Sequence, residues 1–320
     1  GVVSPGGVGY AINCGVRLVR TSLSADEVRP RMPGLIDQVF RDIPCGNGGA
    51  GNVELTPRQL NEVLEAGAAW AVKNGYGTEG DLENCEEHGL VEDADQAQVS
   101  DRARQRGLPQ LGTVGSGNHF LEVQYVEAVH DAGAARALNI AEGQVVMLIH
   151  CGSRGLGHQV CTDYLAQMGG AMKRYGISLA DRQLACVPIN SPEGQAYLGA
   201  MRAAANFAWA NRQMILHLLR QSLRRVFGDQ VHAALLYDVC HNIAKRERHL
   251  VDGKRVNLLV HRKGATRALP PGHRDIPAAY RQAGQPVLIP GSMGTASWIL
   301  AGADGAILES YGSVCHGAGR

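Results

Sequence analysis

Val145-Val146-Met147-Leu148-Ile149-His150-Cys151-Gly152-Ser153-Arg154-Gly155-Leu156-Gly157-His158 changes character twice. The apolar, β-branched run from Val145 to Ile149 has the length and composition of a buried strand. Cys151-Gly152-Ser153 interrupts it as a glycine turn, and the residues from Arg154 onward read as a helix. Strand, turn and helix in succession put His150 and Arg154 at a strand end, where backbone N–H groups can meet a phosphate or a metal-bound anion. The alternative is a glycine turn carrying a surface arginine.

Working outward, comparable runs lie at Phe120-Leu121-Glu122-Val123-Gln124, Leu235-Leu236-Tyr237, Val256 to Val260 and Pro286 to Ile289. Each is expected to be a strand. Helix starts are marked by the capping box Ser24-Ala25-Asp26-Glu27, by Thr56-Pro57 and by Ser191-Pro192-Glu193. The helix after Thr56 is expected to reach Asn74-Gly75. The one after Ser191 should pass Asn206-Phe207-Ala208-Trp209-Ala210-Asn211-Arg212 and stop at Phe227-Gly228, long enough to leave room for a bend or break. These signals predict an α+β fold, a single mixed-sheet catalytic domain over residues 1–320. The segment from Asp81 to Gly107, acidic and then basic, reads as a surface excursion.

A chain of 320 residues with formal charge +1 and 45% hydrophobic residues excludes disorder and a coiled coil. No apolar run approaches the roughly 18 residues of a membrane span, so no membrane partner is expected. The near-zero charge argues against a simple polyanion-coating protein. Eight cysteines are scattered without a CxxC pair, which indicates neither a zinc ribbon nor a disulfide framework. They suit a reducing cytosol, and the opening Gly1-Val2-Val3-Ser4-Pro5 carries no basic-then-apolar leader, so a cytoplasmic location is expected.

Gly46-Asn47-Gly48-Gly49-Ala50-Gly51 fits GxGxxG in form, yet no strand precedes it and no helix start follows, so a flexible loop is the better reading. GxxxxGK[ST] and KxDG are both absent, so nucleotide chemistry here needs another side chain. Polar residues recur at strand ends: His119 before one, and His150, His241 and His261 after others. Cys14, His119, His150 and His241 come from four separate segments. A lone buried histidine is commonly a satisfied core group, but Asn13 beside Cys14, Asn118 beside His119 and Asn242 beside His241 supply amides that orient ligands or grip phosphate oxygens. Gly291-Ser292-Met293-Gly294-Thr295 and His316-Gly317-Ala318-Gly319-Arg320 are either tight turns or places where backbone closely approaches a nucleotide.

Taken together, GVGYAINCGVR (Gly7 to Arg17), GSGNHFLEVQ (Gly115 to Gln124), HCGSRGLG (His150 to Gly157), NFAWANR (Asn206 to Arg212), DVCHN (Asp238 to Asn242), HRKGATRA (His261 to Ala268), PGSMGTASW (Pro290 to Trp298) and HGAGR (His316 to Arg320) resemble the RtcB family of RNA-splicing and RNA-repair ligases. The motifs stand in the family's order across nearly the whole chain. The resemblance implies a GTP- and Mn2+-dependent RNA ligase of tRNA splicing or RNA repair. Such an enzyme joins ends bearing a 2′,3′-cyclic phosphate or 3′-phosphate to 5′-hydroxyl ends, in some cases with an archease partner. It assigns His316 as the nucleophile that carries GMP, and Cys14, His119, His150 and His241 as metal ligands, with Cys14 bridging two ions. It assigns Asn118, His119, Phe120, Leu121, Glu122, His241, Asn242, Pro290, Gly291, Ser292, Met293, Ser297, His316, Gly317, Ala318 and Gly319 to the guanylate, and offers Arg154 for an RNA phosphate. Ligand softness alone would have suggested zinc for a thiolate with imidazoles.

The chain departs from the family pattern in three ways. Ala11 stands where the family has an aspartate ligand of the second metal, and a methyl cannot coordinate. The family's upstream segment and its late lysine, which follows HGAGR, have no counterpart in residues 1–320. A ligase core with one metal and impaired activity is therefore expected. The alternatives are an inactive homologue that binds RNA ends and a metal-dependent phosphoesterase.

Overall fold

The computed structural model describes residues 1–292 and 294–317. The run beginning at Val145 lies inside a four-stranded antiparallel sheet built from β1 (Gly15–Ser24), β2 (Phe120–Tyr125), β3 (Gln144–Cys151) and β4 (Ala233–Cys240). The strand order is β2-β3-β1-β4. Side chains alternate between two apolar layers, as a period of two requires. Val16, Leu18, Val146 and Leu148 pack on one face, whereas Val19, Val145, Met147 and Ile149 pack on the other. Because both faces of β3 are covered, it reads as a continuous apolar run.

Pairing direction decides where the site can be. Gly15 lies opposite both Cys151 and Cys240, and Phe120 lies opposite His150. β1 and β2 thus begin at the end of the sheet where β3 and β4 finish. Cys14, His119, His150 and His241, distant in sequence, all arrive at that one end.

Two helices back this arrangement, α1 (Arg154–Ala171) and α2 (Pro192–Phe227). The Ser191 hydroxyl accepts from Gly194 N–H, and Pro192 takes the first helical position. α2 runs for 36 residues without the break the sequence left room for, about 54 Å at ~1.5 Å per residue. The helix after Thr56 behaves otherwise, dividing into Pro57–Ala66 and Ala68–Lys73. Gly67 at the junction has φ +57°, and a Cβ there would meet Gly89 O at 2.4 Å, so the break sits where only glycine fits. The Ser24 capping box forms as expected, over a helix of only Ala25–Val28.

A hairpin of β5 (Asn242–Val251) and β6 (Lys254–Lys263) follows β4. Two shorter ribbons complete the chain: β7 (Ala265–Arg267) pairs with β10 (Ser313–Cys315), and β8 (Pro286–Ile289) with β9 (Trp298–Ala301). The fold is α+β as expected. Among the described residues the strands pair antiparallel, and parallel pairing is confined to single bridges, Cys45 with Val114 and Cys85 with Asp238.

Two further expectations are corrected. His261 lies within β6 rather than after a strand; its Nε2 accepts from Ser4 N–H at 3.2 Å, a structural role. The segment from Asp81 to Gly107 is a surface excursion only in part: Glu92, Asp93, Asp95 and Asp101 are exposed, but Asp81 and Glu86 are buried against partners. Asp81 pairs with Arg220 at 2.7 Å and Glu86 with Lys245 at 2.8 Å, while Val99 and Ala103 join the core. Among the described residues, no helix is long and apolar enough to cross a membrane.

Candidate functional site

At the shared end of the sheet, Cys14 Sγ lies 3.3 Å from His119 Nε2 and 3.2 Å from His150 Nε2. His150 Nε2 is in turn 3.1 Å from His241 Nε2. Donors held at ~2.0–2.3 Å around one cation at tetrahedral angles stand roughly 3.3–3.7 Å apart, so these separations are slightly tighter than those of a ligand shell. Cys14, His150 and His241 bring their donor atoms within 4.8 Å of one another, the one such group of donors among the described residues, and all three are buried.

The electrostatics favour a cation. Burial pushes the Cys14 thiol far up, Cys151 adds to this, and Arg212 opposes it. A thiolate here needs a positive partner. Burial also holds His119 down at about 4, helped by the charges of Arg154 and Arg212. His241 is depressed well below the ordinary imidazole range, by burial first and then by His150, His316 and Arg212. Imidazoles kept neutral offer lone pairs to a metal. His119 Nδ1 is buried with no hydrogen bond among the described residues. The donor set therefore fits a metal ion, with Cys14 at the junction between His119 and the His150–His241 pair.

His316 joins this group from the far end of the chain. Its ring centroid is 4.5 Å from that of His241. Its Nδ1 lies 3.0 Å from Gly264 O, and its backbone N–H donates to the same carbonyl. A carbonyl only accepts, so Nδ1 carries the proton and the lone pair of a neutral ring resides on Nε2. Gly317 follows with φ +118°, and a Cβ there would meet Pro290 O at 2.4 Å. The chain after His316 thus lies directly on the Pro290 turn.

A sequence profile described as tRNA-splicing ligase RtcB matches residues 1–320. The chain belongs to the RtcB family. It is 60% identical over 323 residues to tRNA-splicing ligase RtcB of Thermococcus kodakarensis, covering 100% of this chain and 67% of that protein. The corresponding protein of Archaeoglobus fulgidus is 57% identical over 323 residues, with the same coverage. That of Pyrococcus horikoshii is 58% identical over 312 residues, and this chain spans 36% of its length.

The guanylate residues suggested by the RtcB resemblance fall around the same end. Gln124 Nε2 donates to Glu122 Oε2 at 2.9 Å and to Ser297 Oγ at 3.0 Å, and Ser297 Oγ also accepts from Gly291 N–H at 3.1 Å. Glu122 and the Pro290–Ser297 turn are thereby joined. Sequence reasoning passed over Gln124, although strand alternation sets it on the face of Glu122, two residues away. Asn242 accepts from Gly264 N–H at 3.0 Å and donates to Ala11 O at 3.1 Å, bracing the Cys14 turn against the His316 segment. Asn118 is exposed and His119 half-buried before β2; Phe120 sets its ring 5.2 Å from that of His150, and Leu121 packs beneath the sheet. Ser292 N–H donates to Thr295 Oγ1 at 2.8 Å. Met293, Ala318 and Gly319 lie outside the described residues.

The turn after β3 is more tied down than its sequence suggested. Arg154 is buried, donating from Nε to Thr113 Oγ1 at 2.9 Å and from Nη2 to Gly46 O at 2.8 Å. Gly155 N–H is taken by Gln110 Oε1 at 2.9 Å. These bonds bind the turn to the loop at Gly46 and to Thr113. The polar residues of NFAWANR serve the scaffold: Asn206 and Asn211 bond backbone groups near Val91 and Thr113 from within buried α2.

Proposed function

We propose that the chain is the core of a GTP- and Mn2+-dependent RNA ligase. It joins 2′,3′-cyclic phosphate or 3′-phosphate RNA ends to 5′-hydroxyl ends in tRNA splicing or RNA repair. The observation that carries this reading is His316, with its Nε2 lone pair, set beside His241 of a Cys14–histidine cluster. In the first step Nε2 of His316 attacks the α-phosphorus of GTP, forming an N–P bond as the bond to the pyrophosphate oxygen breaks. A 2′,3′-cyclic phosphate is first opened by water, which breaks the P–O2′ bond and leaves a 3′-phosphate; GMP then passes from His316 to that phosphate, and the incoming 5′-hydroxyl displaces GMP as the new phosphodiester forms.

Cys14, His119 and His150 would hold one manganese ion, and Cys14 bridging to His241 would contribute to a second position. Bound there, the metal offsets phosphate charge and orients the α-phosphorus. Gly264 O holds the tautomer of His316, and Glu122 suits the N–H edge of guanine. Asn118, Phe120, Asn242, Pro290, Ser292, Ser297 and Gly317 are proposed to line the guanylate, together with Met293, Ala318 and Gly319. Arg154 meets an RNA phosphate in this reading by sharing N–H groups that now serve Thr113 and Gly46. Family resemblance supports a cytoplasmic setting and an archease partner.

Ala11 favours a second reading, an RNA-end-binding protein without catalysis. Incubation with manganese and GTP labelled at the α-phosphate distinguishes the two. The full-length protein carrying Ala11→Asp should acquire an acid-labile GMP label that His316→Ala abolishes. A label that persists in His316→Ala, or that resists acid, overturns the assignment. RNA binding without any label in Ala11→Asp would favour the second reading.

A further inference from the structure

Three of the four ligand-bearing segments meet above a single guanidinium. Arg212 projects from the middle of α2 and is fully buried. Its Nη1 donates to Asn13 O at 2.7 Å, beside Cys14, and to Cys151 O at 3.0 Å, beside His150. Its Nε donates to the Asp238 carboxylate at 2.9 Å, on the strand that ends at His241. A Cβ on Gly15 would stand 3.0 Å from Arg212 Cζ, so the strand carrying Cys14 passes directly over the guanidinium. Asp238 is oriented in turn by Arg17 Nε at 2.7 Å.

We infer that Arg212 is the positioning residue of the metal cluster: one rigid, planar fork fixes the segments of Cys14, His150 and His241 relative to one another. This rests on reading the cluster as a metal site. Buried polar networks rigidify what they connect when every member is satisfied, and a guanidinium presents donors in a fixed fork that an ammonium cannot imitate. Asn13 shows the constraint, being held at φ +50°, a left-handed conformation uncommon outside glycine. Arg17 offers an internal comparison. It is equally buried and shares Asp238, but its other donors go to Gln213 and Cys85, away from the ligand segments.

Cobalt(II) titration of the intact chain tests the assignment, because a thiolate bound to cobalt gives a near-ultraviolet charge-transfer band. The unsubstituted chain should show the band, and Cys14→Ser should lose it. Arg212→Lys should weaken cobalt affinity about 10- to 100-fold and reduce the band at saturation, while Arg17→Lys changes thermal stability but leaves both nearly unchanged. Equal cobalt affinity and band intensity in Arg212→Lys and the unsubstituted chain overturn the positioning role; so does an equal loss in Arg17→Lys, which would reveal generic destabilisation. No band in the unsubstituted chain instead overturns the metal reading beneath it. Should Arg212→Lys fail to fold, Arg212→Gln with Asp238→Asn carries the same comparison.

Discussion

His241 and His316 stand ring to ring, 4.5 Å between centroids and tilted by 53°, although one closes a strand of the central sheet and the other lies near the chain's end. The His241 backbone carbonyl accepts from Gly264 N–H, and the Gly264 carbonyl accepts from His316 N–H, so a short backbone relay sets the spacing. In the proposed reaction this contact lets a phosphate held at the metal be reached by the nucleophile. Reach comes before basicity in such a step.

Residue 11 tests the metal count. Cys14 N–H donates to Ala11 O at 2.9 Å, so a side chain at position 11 starts within one turn of the Cys14 thiol. Ala11→Asp should raise manganese stoichiometry by one ion, measured by metal analysis after equilibrium dialysis. Two ions of equal affinity already bound with Ala11 would contradict the argument.

Gly317→Ala should separate chemistry from metal binding. The added methyl meets Pro290 O at 2.4 Å and moves the His316 segment off its turn. Guanylylation of the Ala11→Asp background is expected to fall on the order of 100-fold, the cost of a misplacement of about 1 Å. Metal affinity should be retained, because Gly317 touches none of the four ligands through an observed bond.

Asn206→Ala should do the reverse. Its amide serves Val91 N–H at 2.8 Å and the carbonyls of Leu64 and Val91 at 3.0 and 3.1 Å, all inside the protein. Removing it strands buried backbone groups at a cost on the order of 2–4 kcal/mol. Denaturant unfolding should report this loss, with cobalt or manganese affinity of the folded fraction unchanged.

Acid should destabilise the metal-free protein through the site histidines. His119 and His241 have folded pKa values below the unfolded value of roughly 6.5, so the unfolded chain binds the extra protons as pH falls. Their contribution is fully present above about 6.5 and lost progressively below it, down to about 4 for His119. Thermal midpoints measured across that window should fall with acid. His241→Gln should flatten the fall.

Strand runs and helix caps were legible because alternation and capping are local chemistry. Pro286 to Ile289 is a strand with exactly those ends, and Ser191 and Thr56 cap as their motifs suggest. The break at Gly67 was passed over, although a lone glycine is a local breaker signal; what confines the position to glycine, the carbonyl of Gly89, is brought near only by folding. Charged residues in the Asp81 to Gly107 segment misled for a similar reason: the cations that neutralise Asp81 and Glu86 lie on α2 and β5. At the site, the amide neighbours of Cys14 and the histidines gave a usable signal. Their convergence required the strand order, which no spacing along the chain encodes.

That strand order also constrains how the site can come into being. The ligands closest in space are far apart in the chain: Cys14 and His150 are separated by 136 positions, and His150 and His241 by 91. Closing such loops is slow and is rewarded only when non-local pairing is complete. A metal ion therefore cannot nucleate this fold as zinc nucleates a finger, where neighbouring residues supply the ligands. In the proposed reading, metal capture would mark the finished sheet, and loosening any strand next to a ligand would release the ion.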